Sequence, residues 1–343
     1  MDLNDAEAHA LALADNKLNE LARWDDVLLA DILKSVDITE ALGFSDLELK
    51  NLLAGDIPLA PTADDSIPEL PKQPTSKVGD VYVLGGHRLA CGDFRTKSFW
   101  DGVEADLVWT DPPYGVSYEA KNDALQKWDG RKPRAAGAVS IENDTMGSDQ
   151  LRTFLREAFT IVLARSKPGA GWYVAAPAGP SFGVFAALLA EIDVWRHTLN
   201  WIKDSFVLGR CDYHYRHEPI FYGWKPGAAH YWAGARNLDT CLEFARPKQS
   251  AEHPTMKPVA LVQHCVENSS KRGELIIDPF LGSGTVIVAA ERCERRAHGT
   301  EISPQYCDVI VERWKQLTGG APELVGGSPS LKGKRRSARP AAE

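Results

Sequence analysis

Residues 106–118 read DLVWTDPPYGVSY. An apolar run, Leu107-Val108-Trp109, breaks into Asp111-Pro112-Pro113-Tyr114. A carboxylate only accepts hydrogen bonds when ionised. The peptide carbonyl beside it belongs to a proline, whose ring fixes φ near −65° and which has no N–H of its own. Tyr114 adds a flat aromatic face. An ordinary turn needs no tyrosine, and a tyrosine-containing core needs no Pro-Pro, so these four residues form a candidate catalytic group at the end of a strand.

A second stretch has chemical content. ELIIDPFLGSGTVIVAAERC, residues 274–293, runs strand, acid, glycine-rich turn, helix. Gly282 and Gly284 let the backbone approach a ligand closely. The helix that follows aims its free N–H groups at the same place. Glu301 follows about 20 residues later at the end of another strand, where an acid can hold ribose hydroxyls in dinucleotide-binding folds. The pattern lacks the lysine of G-x-x-x-x-G-K-[ST], and Ile287 stands where G-x-G-x-x-G needs its third glycine, so ATP and NAD are poor candidates.

The surrounding elements must bring these two stretches together. Strands are expected within VGDVYVLGGHRLACGDF, at ADLVWT, GWYVAAP, HTLNWIK, GELIIDPF and AHGTEI. Helices are expected over 149–165, SFGVFAALLAEI, KPVALVQHCVENSS, GTVIVAAERC and PQYCDVIVERWKQLT. Strands alternating with helices predict an α/β fold, a doubly wound and largely parallel sheet. The continuous apolar run in ADLVWT suits a strand covered on both faces. Residues 6–54 carry Leu11, Leu18, Leu21, Trp24, Leu28 and Leu29 at helical spacing, which predicts a small helical segment over 1–55. Residues 56–77 hold five prolines and read as an extended, mobile linker. Residues 117–147 read as a long loop and 204–252 as irregular and aromatic-rich. From Gly319 the composition predicts disorder, ending in the basic KGKRRSARPAAE.

At 343 residues, with 44 % hydrophobic and 25 % charged side chains, the chain has the composition of a soluble protein. No apolar stretch approaches the ~20 residues of a membrane span, and the acidic N-terminus is unlike a signal peptide. Six cysteines are scattered singly with no C-x-x-C pair, which argues against a zinc site or disulfide framework and predicts a reducing cytoplasm. The net charge is −8, but residues 1–70 carry 16 acidic and 4 basic side chains, so the rest of the chain sums to +4. A nucleic-acid partner is therefore permitted.

Asp111-Pro112-Pro113-Tyr114 and Asp278-Pro279-Phe280-Leu281-Gly282-Ser283-Gly284-Thr285 together resemble the two hallmark motifs of the amino-methyltransferases that act on DNA bases. The catalytic motif precedes the cofactor motif, as in the β class, a circular permutation of the Rossmann-like methyltransferase fold. HPTMKP (253–258) and ACGDF (90–94) resemble two supporting motifs in the places that class has them. The resemblance covers roughly residues 78–318. The N-terminal helices look like the end of a ParB-type domain, which some prophage methyltransferases carry in front.

The resemblance implies S-adenosylmethionine as cofactor, no metal, and duplex DNA as partner. Asp111 and the Pro112 carbonyl, stiffened by Pro113, would accept the N–H groups of an exocyclic amine. Tyr114 would stack on a flipped-out base. Asp278, Phe280, Gly282, Ser283, Gly284 and Thr285 would hold the methionine end, Glu301 the ribose, and Asp93 and Phe94 the adenine or amino-acid side. Thr255 and Lys257 would hold the cofactor carboxylate, although a helix cap and a solvated charge use the same residue types. Lys203, Arg210, Tyr213, Tyr215, Arg216 and His217 would reach phosphates and bases, unless they belong to an aromatic core. Related methyltransferases have a similar Y-x-x-x-H-E segment near the active site. The loop 119–137 and the basic tail would add phosphate contacts, and β-class relatives are often homodimers. Asp in the catalytic motif favours N6 of adenine. Cytosine N4, a catalytically silent regulator, and a protein or RNA amine as substrate are the alternatives.

Overall fold

The computed structural model describes residues 63–115, 146–204, 212–233, 238–247 and 256–326. The expected N-terminal helices, the loop 119–137 and the basic tail lie outside the described residues.

The elements in chain order are β1 (Val81–Leu84), β2 (His87–Cys91), β3 (Ala105–Thr110), α1 (Ser148–Arg165), β4 (Ser166–Ala175), α2 (Phe182–Glu191), β5 (Trp195–Ile202) and β6 (His217–Trp224). They continue with β7 (Cys241–Glu243), α3 (Val259–Ser269), β8 (Leu275–Asp278), α4 (Thr285–Arg292), β9 (Arg296–Glu301), α5 (Pro304–Thr318) and β10 (Glu323–Gly326). Among the described residues they build one sheet in the order β10-β1-β2-β9-β8-β3-β4-β6-β5-β7. The central run β2-β9-β8-β3-β4 is parallel throughout. The flanks are antiparallel at β10-β1-β2 and at β4-β6-β5.

Successive residues of a strand point to opposite faces, and the helices divide accordingly. Leu107 and Trp109 of β3 face a core built with Leu261 and Val262 of α3, Val286 and Ile287 of α4, and Ile310 of α5. Val108 of β3 and Ile277 of β8 face the opposite core, built with Leu155 and Phe159 of α1 and Phe185 and Leu189 of α2. Helices cover both faces, so the sheet is doubly wound, as the alternation of strands and helices predicts. No described helix is long and apolar enough to cross a membrane.

Three segments differ from the reading of the sequence. Within 204–252, the run HEPIFYGW forms β6, inserted antiparallel between β4 and β5. Its Pro219 reads as a strand breaker, yet its carbonyl accepts the N–H of Ala176 beyond the end of β4. Past Gly319, residues 323–326 form β10 on the edge beside β1, where disorder is expected from composition.

The third is residues 63–77, a strap pinned along three helices rather than a mobile linker. The Asp64 carboxylate takes both guanidinium bonds of Arg292, at 2.5 and 2.7 Å. The Asp64 carbonyl accepts from Arg313 at 2.6 Å. The Asp65 carboxylate accepts the Val259 N–H at the start of α3, at 2.8 Å. Further along, the Pro71 carbonyl accepts from Gln305, and the N–H groups of Thr75 and Ser76 donate to Asp308. Prolines remove backbone donors but leave carbonyls, and the strap docks with those and with its acids.

Asp65 therefore acts as an external cap on α3. Asp65→Ala should cost about 1 kcal/mol, typical of a lost cap. A Tm unchanged by thermal unfolding would show that the contact contributes nothing.

Candidate active site

Parallel strands deliver their C-terminal residues to one edge of the sheet, where ligands of α/β proteins bind. Here four adjacent strands each reach an acid at or just past that edge. Across the sheet these are Asp93 after β2, Glu301 of β9, Asp278 of β8 and Asp111 after β3. Both sequence motifs and two supporting residues thus meet in one row, although they come from segments up to 208 positions apart (93 to 301).

The glycine-rich turn follows Asp278. The Asp278 carboxylate is 1 % exposed and is held by the Thr110 hydroxyl at 2.7 Å and the Phe280 N–H at 2.9 Å. The first of these bonds ties the end of β8 to the end of β3. Gly282 and Gly284 both adopt left-handed φ, +53° and +83°. A Cβ on Gly282 would meet nothing within 4 Å, so this backbone borders open space, whereas one on Gly284 would strike Ile310 at 2.9 Å. Glu301 braces the turn through one oxygen, which accepts the Gly282 N–H at 2.8 Å, and its other oxygen accepts the Ser303 N–H. Ser283 and Thr285 are held from behind. Arg313, buried in α5, donates to the Ser283 carbonyl and reaches the Thr285 hydroxyl. Phe94 is buried against Phe154 and Phe280, with ring centroids 5.3 and 5.2 Å away. Asp93 is held by Arg95, which also bonds Glu157 of α1.

At the other motif the structure assembles a charge cluster. Tyr114 donates its hydroxyl to Asp111 Oδ1 at 2.8 Å, and Lys257 Nζ donates to Asp111 Oδ2 at 2.6 Å. The same ammonium lies 3.0 Å from Glu218 Oε2 and 3.2 Å from the Tyr114 hydroxyl. Lys203 then pairs with Glu218 Oε1 at 2.5 Å. Lys203 and Lys257 are 6 % and 3 % exposed, while the Asp111 side chain is 25 % exposed. Two cations and two anions therefore balance almost out of water.

Burial pushes the Asp111 carboxyl up, as does the Glu218 charge, while Lys257 opposes them. Burial works the same way on Glu218, but Lys257 and Lys203 win and hold it down at about 2. Lys257 is penalised by burial, yet the two carboxylates raise it above the usual lysine range. Among the described residues no cation pairs with Asp278, and burial pushes its carboxyl up to about 7.

The structure gives several of the expected site residues partners within the protein. Lys257, expected on a cofactor carboxylate, is engaged by Asp111 and Glu218 because the chain ahead of α3 turns it inward. Lys203, expected on DNA, is buried behind Glu218, its ammonium 4.8 Å from the Trp201 ring centroid. The Tyr114 ring is only 8 % exposed, with Phe185 edge-on at 6.1 Å and the Lys257 ammonium 5.4 Å from its centroid. Stacking on a base therefore requires this ring to be uncovered. Tyr213 is 90 % exposed and Tyr215 is 49 % exposed, Arg216 is exposed beside them, and His217 is half-buried against Tyr215. Thr255 and Arg210 lie outside the described residues. The sequence assigns Glu218 no role. Its one signal is its place in Y-x-x-x-H-E at the head of an apolar run.

The structure thus gathers a row of acids, a glycine turn feeding a helix and Asp111-Pro112-Pro113 at one sheet edge. A sequence profile of the N6/N4 DNA methylase family matches residues 105–312, and the chain belongs to that family. It is 32 % identical over 97 residues to the type II methyltransferase M.Cfr9I of Citrobacter freundii, matching 28 % of this chain and 32 % of that protein. It is 25 % identical over 232 residues to M2.DpnII of Streptococcus pneumoniae, matching 61 % of this chain and 81 % of that one. Among solved structures, a DNA modification methylase described as putative, from Thermus thermophilus and complexed with S-adenosyl-L-methionine, is 19 % identical. That alignment covers 69 % of this chain and 96 % of the other, with a TM-score of 0.49.

The folded protein keeps the Asp278 proton up to about pH 7, whereas the unfolded chain releases it near 3.8. The folded state then binds more protons between those values, so this group's contribution is fully present below about pH 4 and is lost as pH rises through 7. Its upper bound is about 4 kcal/mol, from 1.36 kcal/mol per pKa unit. Between pH 5 and pH 8 the wild type should lose more Tm than Asp278→Asn when both are measured without ligand. Equal losses would mean that Asp278 ionises normally.

Proposed function

We propose that the protein transfers a methyl group from S-adenosylmethionine to N6 of adenine in duplex DNA, on a base flipped out of the helix. The observation that carries this reading is the proximity of the two motifs, joined by the Thr110–Asp278 bond at 2.7 Å.

The residues at the sheet edge fit the cofactor. Gly282 borders open space, so a ligand can lie against its backbone. A carboxylate offers about four lone-pair sites, so Glu301 can brace the turn and also accept from a ribose diol. Phe280 and the turn up to Thr285, with Asp278 behind them, would hold the methionine end, and Asp93 and Phe94 would close the far side. S-adenosylmethionine supplies a methyl group on a sulfonium.

The chain's own part is acceptance and positioning. An exocyclic amine is a poor nucleophile because its lone pair is conjugated into the base ring. Asp111 and the Pro112 carbonyl would take its two N–H groups, localising that lone pair on nitrogen. Fixed acceptors at developing positive charge require no reorganisation during the reaction. When the N–C bond has formed, the nitrogen carries one proton too many, and the Asp111 carboxylate is placed to receive it. Pro113 limits the freedom of the acceptor carbonyl.

Reaching the amine requires base flipping, because a base inside a duplex is inaccessible. Tyr114, once uncovered, would present a stacking face worth ~1–3 kcal/mol per base. Tyr213, Tyr215 and Arg216 stand exposed ahead of β6 beside His217 and suit contact with the duplex, and Arg210 suits it by residue type. The order of the motifs supports a β-class, permuted arrangement, and the chain before residue 63 supports a ParB-like relic. A homodimer and a cytoplasmic location follow from the same reading.

Cytosine N4 is the second reading, since the family spans both amines. Asp at position 111 favours adenine. Purified protein incubated with methyl-labelled S-adenosylmethionine and duplex DNA should yield labelled N6-methyladenosine on nucleoside analysis. Labelled N4-methylcytidine would select the second reading, and no label despite cofactor binding would sink both. Asp111→Ala should lower transfer at least about 100-fold, by analogy with lost transition-state contacts elsewhere, while isothermal titration finds cofactor binding kept. Loss of that binding would mean the role of Asp111 is misplaced.

A further inference from the structure

A buried ammonium that donates to the catalytic carboxylate presents a conflict. Lys257 favours the ionised form of Asp111 against burial, which acceptance of an amine requires. The same ammonium, 2.6 Å from Oδ2, competes with the amine for that oxygen. The geometry contains a way out. Lys257 has three donors and three acceptors in reach: Asp111 at 2.6 Å, Glu218 at 3.0 Å and the Tyr114 hydroxyl at 3.2 Å. A small shift carries the ammonium from one carboxylate to the other without exposing it to water.

We propose that Glu218 is a positioning residue for methyl transfer, a second counter-ion that draws Lys257 off Asp111 as the target amine arrives. This rests on the methyltransferase reading above. Three further observations support it. Glu218 sits near the start of β6, opposite Trp201 of β5, so it is fixed by the sheet and not by a loop. Lys203 holds its other oxygen at 2.5 Å and makes it a permanent anion. The exposed Tyr213, Tyr215 and Arg216 immediately precede it, so the surface suited to DNA and the second counter-ion share one strand end.

Among the described residues the groups facing Asp111 are Lys257 from the segment ahead of α3, Tyr114 from its own segment, Glu218 from β6 and Asp278 from β8. Lys203 lies behind Glu218, with Arg246 beside Lys203. Removing the Glu218 charge removes a like charge from Asp111, so the carboxyl ionises at lower pH. It also leaves Lys257 with Asp111 as its one carboxylate among these groups.

Glu218→Gln tests this. The expected result is a kcat about 100-fold lower, the scale of a mispositioned catalytic group. KM for DNA and affinity for S-adenosylhomocysteine should change little, and the acid limb of kcat against pH should move to lower pH. Glu218→Asp, which keeps the charge, should recover part of kcat with the wild-type limb. Lys203→Met added to Glu218→Gln restores charge balance but not the anionic acceptor, so kcat should stay low. An unchanged kcat, a parallel loss of cofactor affinity, an unmoved acid limb, or rescue by Lys203→Met would each overturn the proposal. If the wild type transfers no methyl group, the methyltransferase reading fails instead. Carbon-13 titration of the Asp111 carboxyl in wild type and Glu218→Gln then still decides whether the two carboxylates share Lys257.

Discussion

An ammonium group 3 % exposed to water can persist only if something inside the protein replaces hydration. For Lys257 that replacement is two carboxylates and a phenol, delivered from the turn after β3 and from β6. The active site depends on this pairing. Lys257 opposes the burial penalty on Asp111, orients Tyr114 through its hydroxyl and fastens the segment ahead of α3 to the sheet. Removal of either carboxylate would leave a buried charge short of a partner, which is costlier than the pair itself is stabilising.

The sheet is arranged to make such pairing possible. Parallel order in the centre brings the ends of β2, β9, β8 and β3 to one edge, so acids distant in sequence fall into a row. The antiparallel insertion of β6 then turns the start of that strand, not its end, toward the same edge. Glu218 arrives there because β6 runs backwards. Lys203 arrives because β5 runs opposite to β6, ending where β6 begins. One reversal of direction supplies the counter-ion pair behind the catalytic acid.

The same geometry decides which parts are legible in the sequence. Asp111-Pro112-Pro113-Tyr114 and the Asp278–Thr285 turn are local: acid, strand and turn chemistry lie within a dozen residues and need no knowledge of pairing. The helices over α1, α4 and α5 follow from spacing alone. Glu218 and Lys203 are not legible as partners, because their meeting depends on the β5–β6 register, and Pro219 disguises β6 as irregular chain. Lys257 stands out in the sequence but its pairing with Asp111 and Glu218 does not, since residue type signals that a charge has a use without saying which carboxylate it will meet. The strap over 63–77 reads as a linker for a related reason. Proline content reports missing donors and says nothing about guanidinium groups waiting on α4 and α5.

The strap also fixes an origin. Arg313 grips the Asp64 carbonyl with one nitrogen and the Ser283 carbonyl of the cofactor turn with another. The chain before residue 63 therefore leaves from a clamped point behind that turn. A module joined ahead of the clamp would be centred there, because a tether's effective concentration at a site depends on the length left free to span. An added module would be leashed to the back of the cofactor site, and lengthening the sequence between 66 and 77 would not extend its range unless the clamp opened.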